Sequence, residues 1–310
     1  MAEKQYISVV IPLYNKASSI EKTIKTILSQ TFKGFEIIVV NDGSTDNSLE
    51  VVNSIKDERI KIINKANGGV SSARNRGILE ANADYIAFLD ADDYWHSDYL
   101  REMFQLIQDF PEASLYGCAY DWVERGISKS VDFHLPPSYR GIVDNYFQKA
   151  LEHLLYWTSA VIVKKESLLQ IGSFDERISM GEDLDVWFRL NLKYKGAFYN
   201  KPLAYYNMDG PNRAMNRKQN YKKSIMYYFG KYYINESEND EFRIFLNRYR
   251  CIKTLDLLTN YNVSKDEVNE FISSIDFTGL SQKWICFLKS PFFLKRRIAF
   301  IYYNYFFLNK

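Results

Sequence analysis

Cysteine is scarce in this chain. Its 310 residues hold three, at 118, 251 and 286, and no Cys-x-x-Cys spacing. That argues against a disulfide framework and a cysteine zinc site, and it fits a reducing compartment. Histidine is equally scarce, with only His96, His134 and His153, and none is assigned a role. Net charge is small: a formal +2 gives no whole-chain reason to invoke nucleic acid. No run reaches the ~20 apolar residues of a membrane span. The opening MAEKQYISVV has no apolar stretch of signal-peptide length. The expectation is a cytoplasmic protein, at most touching the inner face of the cell membrane. No GxxxxGKS or GxxxxGKT is present, so the common phosphate loop of kinases and ATPases is absent. No GxGxxG follows the first apolar run, which disfavours a dinucleotide-binding fold. Hydrophobics at 46% and charged residues at 25% speak against global disorder. The length allows one large domain, or a core domain with an appendage.

What is there first is alternation. Tyr6–Leu13 (YISVVIPL) is a β-branched apolar run and reads as a buried strand. Ser18 with Glu21 reads as a capping box, and Ile20, Ile24, Ile27 and Leu28 follow at helical spacing. Phe35–Val40 is a second strand, Asp46–Ile55 a second helix, and Arg59–Ile63 a third strand. A third helix follows Gly68-Gly69, and Tyr85–Leu89 is a fourth strand. Strand and helix in turn predict a parallel sheet with helices on its faces, and ligands in such sheets bind beyond the carboxyl ends of the strands. Further on, Ser97–Phe110 reads as a helix capped by Ser97. Ser114–Tyr120 and Ser159–Val163 read as strands, 124–142 as a loop, and Gly196–Asn207 as a strand pair. From Arg213 onward no further alternation is visible. The expected organisation is a catalytic domain over 1–212 and a mainly helical, basic-aromatic region over 213–310.

Four polar constellations interrupt this pattern. Asp90, Asp92 and Asp93 arrive within four positions of an apolar strand. They repel one another, and burying any of them unpaired is costly. Either they form a solvated turn or helix cap, or a hard divalent cation belongs there. Mg²⁺ or Mn²⁺ takes one or two carboxylates and then bridges phosphate oxygens, which suits a diphosphate ligand. An aspartyl phosphatase motif is discounted, because its fifth position is Tyr94 here and that motif follows a first strand. Asn41-Asp42-Gly43-Ser44 is a turn with helix caps, or it sets Asp42 to accept an N–H from a nucleobase. Asn67-Gly68-Gly69 through Arg74 is a flexible loop and basic helix, or a backbone approach to a ligand with a helix N-terminus favouring anions. In Gly181-Glu182-Asp183-Leu184-Asp185, the acids either complement a helix dipole or supply a general base at a cleft mouth.

Together the segments VVIPLYN, FEIIVVNDGSTD, NGGVSSARNRG, YIAFLDADD and GEDLDVWFRL resemble glycosyltransferase family 2, inverting enzymes with a GT-A type fold. The resemblance covers roughly 6–207 and implies a nucleotide-diphospho-sugar transferase with a mainly parallel central sheet. It implies that Pro12, Tyr14, Asn15 and Asp42 line the nucleoside pocket. Arg74 would lie near the diphosphate, Asp90 near ribose and metal, and Asp92 would be the direct ligand of Mn²⁺ or Mg²⁺. Asp183 would be the catalytic base, with Trp157, Thr158 and Glu182 approaching the sugar or acceptor. The expected donor is a UDP-sugar, and the expected acceptor a carbohydrate or lipid-linked glycan in bacterial surface polysaccharide assembly. Two features depart from the family. Asn41 stands where an acid is usual, and Tyr205–Gly210 lacks the histidine that many members carry there. An inactive sugar-nucleotide-binding scaffold on the same fold is the alternative. A nucleotidyltransferase is a weaker one, since Leu13-Tyr14-Asn15-Lys16 is not a Gly-rich basic loop.

The last thirty residues, 281–310, hold six Lys or Arg, no Asp or Glu, and ten aromatics. Such a segment suits a membrane interface, with cations toward anionic lipid, or a helix packing its aromatics on the catalytic domain. No nucleic-acid-binding motif appears in it.

Overall fold

The computed structural model describes residues 6–209, 220–278 and 280–307. The chain divides into two compact units, Met1–Pro211 and Asn212–Lys310. The boundary expected near 212 lies outside the described residues.

The first unit opens with β1 (Ile7–Leu13), α1 (Ile20–Leu28), β2 (Phe35–Asp42), α2 (Ser48–Ser54), β3 (Ile60–Lys65), α3 (Val70–Glu80) and β4 (Tyr85–Phe88). The apolar runs of β1 and β2 are buried on both faces, as parallel strands covered by helices must be. Helix α1 turns Ile20, Thr23, Ile24 and Ile27 inward at helical spacing. Strand β1 pairs in parallel with β2 on one side and β4 on the other. The chain therefore changes direction of travel across β1, and the loops after β1 and β4 flank a topological switch point. Helix α3 lies against β1, and Gly77 permits the approach: a Cβ there would fall 2.3 Å from Val10 Cγ1.

The unit continues with β5 (Tyr94–Trp95), α4 (Tyr99–Asp109), β6 (Ala113–Glu124), β7 (Ile127–Ser130), β8 (Arg140–Ile142) and α5 (Tyr146–Ala150). Then come β9 (Val161–Lys164), α6 (Lys165–Gln170), α7 (Glu182–Lys193) and β10 (Lys195–Asn207). The sheet order is β3-β2-β1-β4-β9-β6-β10-β5, with β7 beside β6 and β8 beside β10. Strand β9 runs antiparallel between β4 and β6, while β6 and β10 are parallel. The result is a mixed sheet with mostly parallel strands, covered by helices.

Several local expectations are corrected. Helix α1 is capped at Ser19, not Ser18, and without a side-chain cap bond. The Ser19 hydroxyl instead donates to the Ala91 carbonyl (2.9 Å), tying the helix start to the aspartate loop. Glu21 pairs on the surface with Lys25 (2.6 Å). Helix α4 starts after Asp98, one residue beyond the expected Ser97 cap. Residues 124–142 hold the short strands β7 and β8. Gly196–Asn207 is one long strand, bulged around Pro202, which lacks the N–H a regular ladder needs.

The second unit is helical: 3₁₀ turns at Tyr221–Lys223 and Ile225–Tyr232, then α8 (Tyr233–Glu238), α9 (Asp240–Asn260), α10 (Lys265–Ser273), α11 (Gln282–Lys289) and α12 (Phe292–Phe307). Phe242, Phe245, Leu246, Leu257 and Leu258 of α9 are buried. Arg250 is buried too, and it holds Glu236 through two hydrogen bonds of 2.8 Å. Helix α12 packs on α9. It buries Lys295 and Ala299 and exposes Phe293, Phe300 and Ile301. Among the described residues no helix is long and apolar enough to cross a membrane.

Candidate functional site

The loop after β1 is built onto the loop after β2. Asn15 takes a left-handed backbone (φ +52°). Its side-chain oxygen accepts from the Thr45 N–H (2.8 Å), and its own N–H donates to Ser44 Oγ (3.2 Å). The Lys16 N–H donates to Ser48 Oγ (2.7 Å). Pro12 is partly buried, and Tyr14 is exposed at the open edge.

Asp42 ends β2 and is nearly buried. Its carboxylate accepts from the backbone N–H groups of Gly68 (2.9 Å) and Gly69 (2.8 Å) and from Lys65 Nζ (2.5 Å). The glycine pair expected to approach a ligand therefore also wraps Asp42. Asn41, at a position where the family usually carries an acid, donates its amide to Asn64 Oδ1 (2.9 Å), a bond no ionised carboxylate can make.

The three aspartates after β4 sort by partner. Asp93 is buried; it accepts from Ser159 Oγ (2.7 Å) and from the Asn207 N–H (3.1 Å). Burial, then the charges of Asp92 and Asp90, push its carboxyl well above the ordinary range. Asp90 and Asp92 keep partial exposure and each holds a cation. Asp90 Oδ1 accepts from Arg74 Nη2 at 2.8 Å, and Asp92 Oδ2 lies 2.5 Å from Lys16 Nζ. The repulsion that opened the question is relieved in three ways: two ion pairs and one buried, hydrogen-bonded acid.

Arg74 sits one turn into α3 with its side chain only 3% exposed. Its other terminal nitrogen, Nη1, donates to Glu182 Oε1 (2.8 Å), and the guanidinium lies over the Phe174 ring. Burial works against its charge, but Asp90 and Glu182 outweigh burial and raise its pKa. Arg74 thus fastens the loop after β4 to the first turn of α7. Of the two partners its position one turn into the helix suggested, a phosphate or an aspartate of the cluster, the structure shows the aspartate, Asp90, and adds Glu182.

Helix α7 begins at Gly181, whose φ of +78° suits glycine. Glu182, Asp183 and Asp185 fill its first turn. Asp185 is fully buried against Arg189 (2.6 Å), which also donates to the carbonyls of Ile171 and Ser173, so this acid is structural. Glu182 is raised by burial and then by Asp183, with Arg74 opposing. Asp183 accepts from Thr158 Oγ1 (3.0 Å) and from the Leu184 N–H (2.8 Å). Thr158 is buried and spends its hydroxyl on Asp183. Trp157 packs between Tyr120 (centroids 4.6 Å) and Tyr206 (5.0 Å). Burial foremost pushes the Tyr120 phenol up to about 12, and Tyr206 and Asp183 add to it.

Sequence reasoning missed Lys16, Ser159, Tyr120 and Tyr206. Lys16 directly follows the YN motif, so an eye for charge beside motifs finds it. Ser159 joins Asp90 and Asp93 across 66 residues or more, accepting from the Asp90 N–H (3.1 Å), and no spacing announces that. The histidine-free stretch is described only to Asp209; Gly210 lies outside the described residues.

Among the described residues no three His, Cys, Asp or Glu side chains converge into a metal-holding group. The donor set fits an ion of the Mg²⁺ type only if phosphate and water supply most of its ligands, with one or two carboxylates from the protein. Asp92 meets that requirement: it is a carboxylate-bearing side chain, partly exposed, with a single cation, Lys16, beside it.

Comparison with known proteins extends this geometry. The model of "Glycosyl transferase family 2" matches residues 8–177. The amylovoran biosynthesis glycosyltransferase AmsB of Erwinia amylovora is 31% identical over 233 residues, covering 71% of this chain and 75% of AmsB. A glycosyltransferase of Rickettsia bellii is 29% identical over 221 residues, covering 71% of this chain and 31% of that protein. Among solved structures, S. aureus TarS 1-349 in complex with UDP-GlcNAc superposes with a TM-score of 0.63 at 16% identity. It covers 96% of this chain and 79% of TarS 1-349. Several curated relatives are much longer: the matched part is 31%, 20% and 42% of three of them.

Proposed function

The chain belongs to glycosyl transferase family 2, and on that premise we propose that it moves a sugar, with inversion, from a UDP-sugar to an acceptor hydroxyl. Asp183 is the general base. The observation that carries the reading is the Asp90–Arg74–Glu182 bridge. It fixes the aspartate loop at the switch point to the helix turn that bears Asp183. Thr158 then holds one carboxylate oxygen of Asp183 by its hydroxyl, leaving the carboxylate to take the acceptor proton.

In this reading Pro12, Tyr14, Asn15 and Asp42 shape the nucleoside pocket. A carboxylate offers about four acceptor positions, and Asp42 uses three of them within the protein. Asp90 meets the ribose, and Asp92 holds a divalent ion together with the donor's phosphates. When bound, that ion stabilises the charge of the departing diphosphate. Asp183 draws the proton from the acceptor oxygen as that oxygen attacks the anomeric carbon. Single displacement from the face opposite the nucleotide inverts the configuration. Glu182 and Thr158 act as positioning residues, and Trp157 with Tyr120 and Tyr206 borders the base and offers an apolar wall to the acceptor. AmsB's name, and the UDP and UDP-GlcNAc complexes of TarS, support a UDP-sugar donor and a place in bacterial surface-polysaccharide assembly. Peripheral contact with the inner face of the membrane is assigned to the outward side of α12, where Phe293, Phe300 and Ile301 are exposed.

Asp183→Asn tests the assignment. The variant should bind UDP as the wild type does, by calorimetry, and should release UDP from UDP-sugars about 10²–10⁴-fold more slowly. Turnover near the wild-type rate would remove Asp183 from the role of base.

A further inference from the structure

Lys16 pairs with the carboxylate to which the proposed function gives the divalent ion. Its ammonium lies 2.5 Å from Asp92 Oδ2, with the two side chains 20% and 16% exposed. Its backbone is held separately, through the N–H bond to Ser48 Oγ and through its carbonyl, which accepts from the N–H groups of Ser19 (3.1 Å) and Ile20 (3.0 Å). The main chain at Lys16 is thus held by contacts that do not involve its ammonium, so a change of partner by the ammonium would not require the backbone to move. Asp92 has no other hydrogen bond or ion pair among the described residues.

We propose that Lys16 is a resident counter-ion of Asp92, displaced by the divalent ion when the donor's diphosphate arrives to take the ammonium. The proposal rests on the reading of Asp92 as metal ligand. A lone Asp92 beside Asp90 and Asp93 would carry an uncompensated charge in the empty enzyme, and Lys16 removes that charge. The same pairing opposes metal binding, because the ion has to break it. A diphosphate opposes nothing: it offers Lys16 a second anion of higher charge. Metal and nucleotide then strengthen each other's binding. By linkage the factor is the same in both directions, and such couplings are about 5- to 150-fold.

The test uses Mn²⁺ alone, UDP alone and both together, on the full chain. Free Mn²⁺ is read by electron paramagnetic resonance and UDP by calorimetry, so no turnover is required. The wild type should bind Mn²⁺ weakly without UDP and at least about fivefold more tightly with it. Lys16→Met keeps the aliphatic stem and removes the charge. It should bind Mn²⁺ alone about fivefold more tightly than the wild type at low salt, the upper range for a partly exposed ion pair. It should also bind UDP with Mn²⁺ more weakly, so that the coupling collapses. Lys16→Arg should keep the wild-type pattern. Lys16→Met binding Mn²⁺ alone no better than the wild type, while Asp92→Ala abolishes Mn²⁺ binding, would overturn the role of Lys16 and leave the metal site standing. Mn²⁺ binding that survives Asp92→Ala would overturn the metal site and Lys16's role with it.

Discussion

Arg74→Met tests the buried bridge between Asp90 and Glu182. The guanidinium makes two charge-assisted hydrogen bonds of 2.8 Å, to Asp90 and Glu182, at 3% side-chain exposure. Bonds of this kind contribute about 1.5–3 kcal/mol each, and breaking a buried ion pair by removing one partner costs about 3–5 kcal/mol. Met keeps the aliphatic stem and loses the charge together with both hydrogen bonds, so about 3–5 kcal/mol is the expected loss. For a unit of this size each kcal/mol lowers the midpoint by about 2–4 °C, so the drop should be roughly 6–20 °C. The loss also depends on pH. Glu182 is already raised from 4.5 by burial and by Asp183, and Arg74 is the charge that opposes the rise. A carboxyl whose folded value is raised stabilises the fold below its unfolded value, and that stability is lost as pH rises through the folded value. Without Arg74 the folded value rises further, so the deficit should be largest near pH 8 and shrink toward pH 5. The assay is thermal denaturation followed by circular dichroism at several pH values. A drop under about 3 °C, or one that does not change with pH, would refute the bridge as described.

Thr158→Val removes the hydroxyl that orients Asp183. Transfer should fall roughly 10-fold or more, the worth of one hydrogen bond to a charged group, with UDP affinity unchanged; Thr158→Ser should restore most of it, and weakened UDP binding would place Thr158 elsewhere in the site. The outward side of α12 should bind vesicles containing phosphatidylglycerol and not neutral phosphatidylcholine vesicles. Basic residues near such a surface contribute about 1 kcal/mol each. Arg296→Gln with Arg297→Gln should then weaken co-sedimentation about 30-fold; equal binding to both vesicle types would remove the charge from the account, and dimer formation through that face would replace it.

The strand–helix alternation of the first hundred residues was legible because it is local. Ile20, Ile24 and Ile27 repeat with the helical period, and the runs of β1 and β2 are too apolar to lie anywhere but between covered faces. The loops gathered at one edge followed from that order alone. What did not follow was the partner of each charged group. Arg74 reaches Glu182 across 108 residues, and Thr158 reaches Asp183 across 25. Residue type announced that each needs a partner, and tertiary packing chose which. Asp93 looked like Asp90 and Asp92 in the sequence; its burial on Ser159 and Asn207 depends on β10 ending beside it. Strands β7 and β8 were missed for a related reason: β7 is exposed along its whole length and carries no apolar run to announce it.

The central claim is a metal-assisted nucleotide-sugar site at the switch point, and nucleotide binding tests it without knowledge of the acceptor. UDP, GDP, CDP, dTDP and ADP are each added with and without Mn²⁺, and thermal midpoints are read for the wild type and for Asp92→Ala. A ligand at 100 times its dissociation constant adds about 2.7 kcal/mol, a shift of at least a few degrees. The account predicts that shift with UDP and Mn²⁺ together, much less with either alone, and none in Asp92→Ala. No shift with any nucleotide, or the same shift without metal and in the variant, would contradict it.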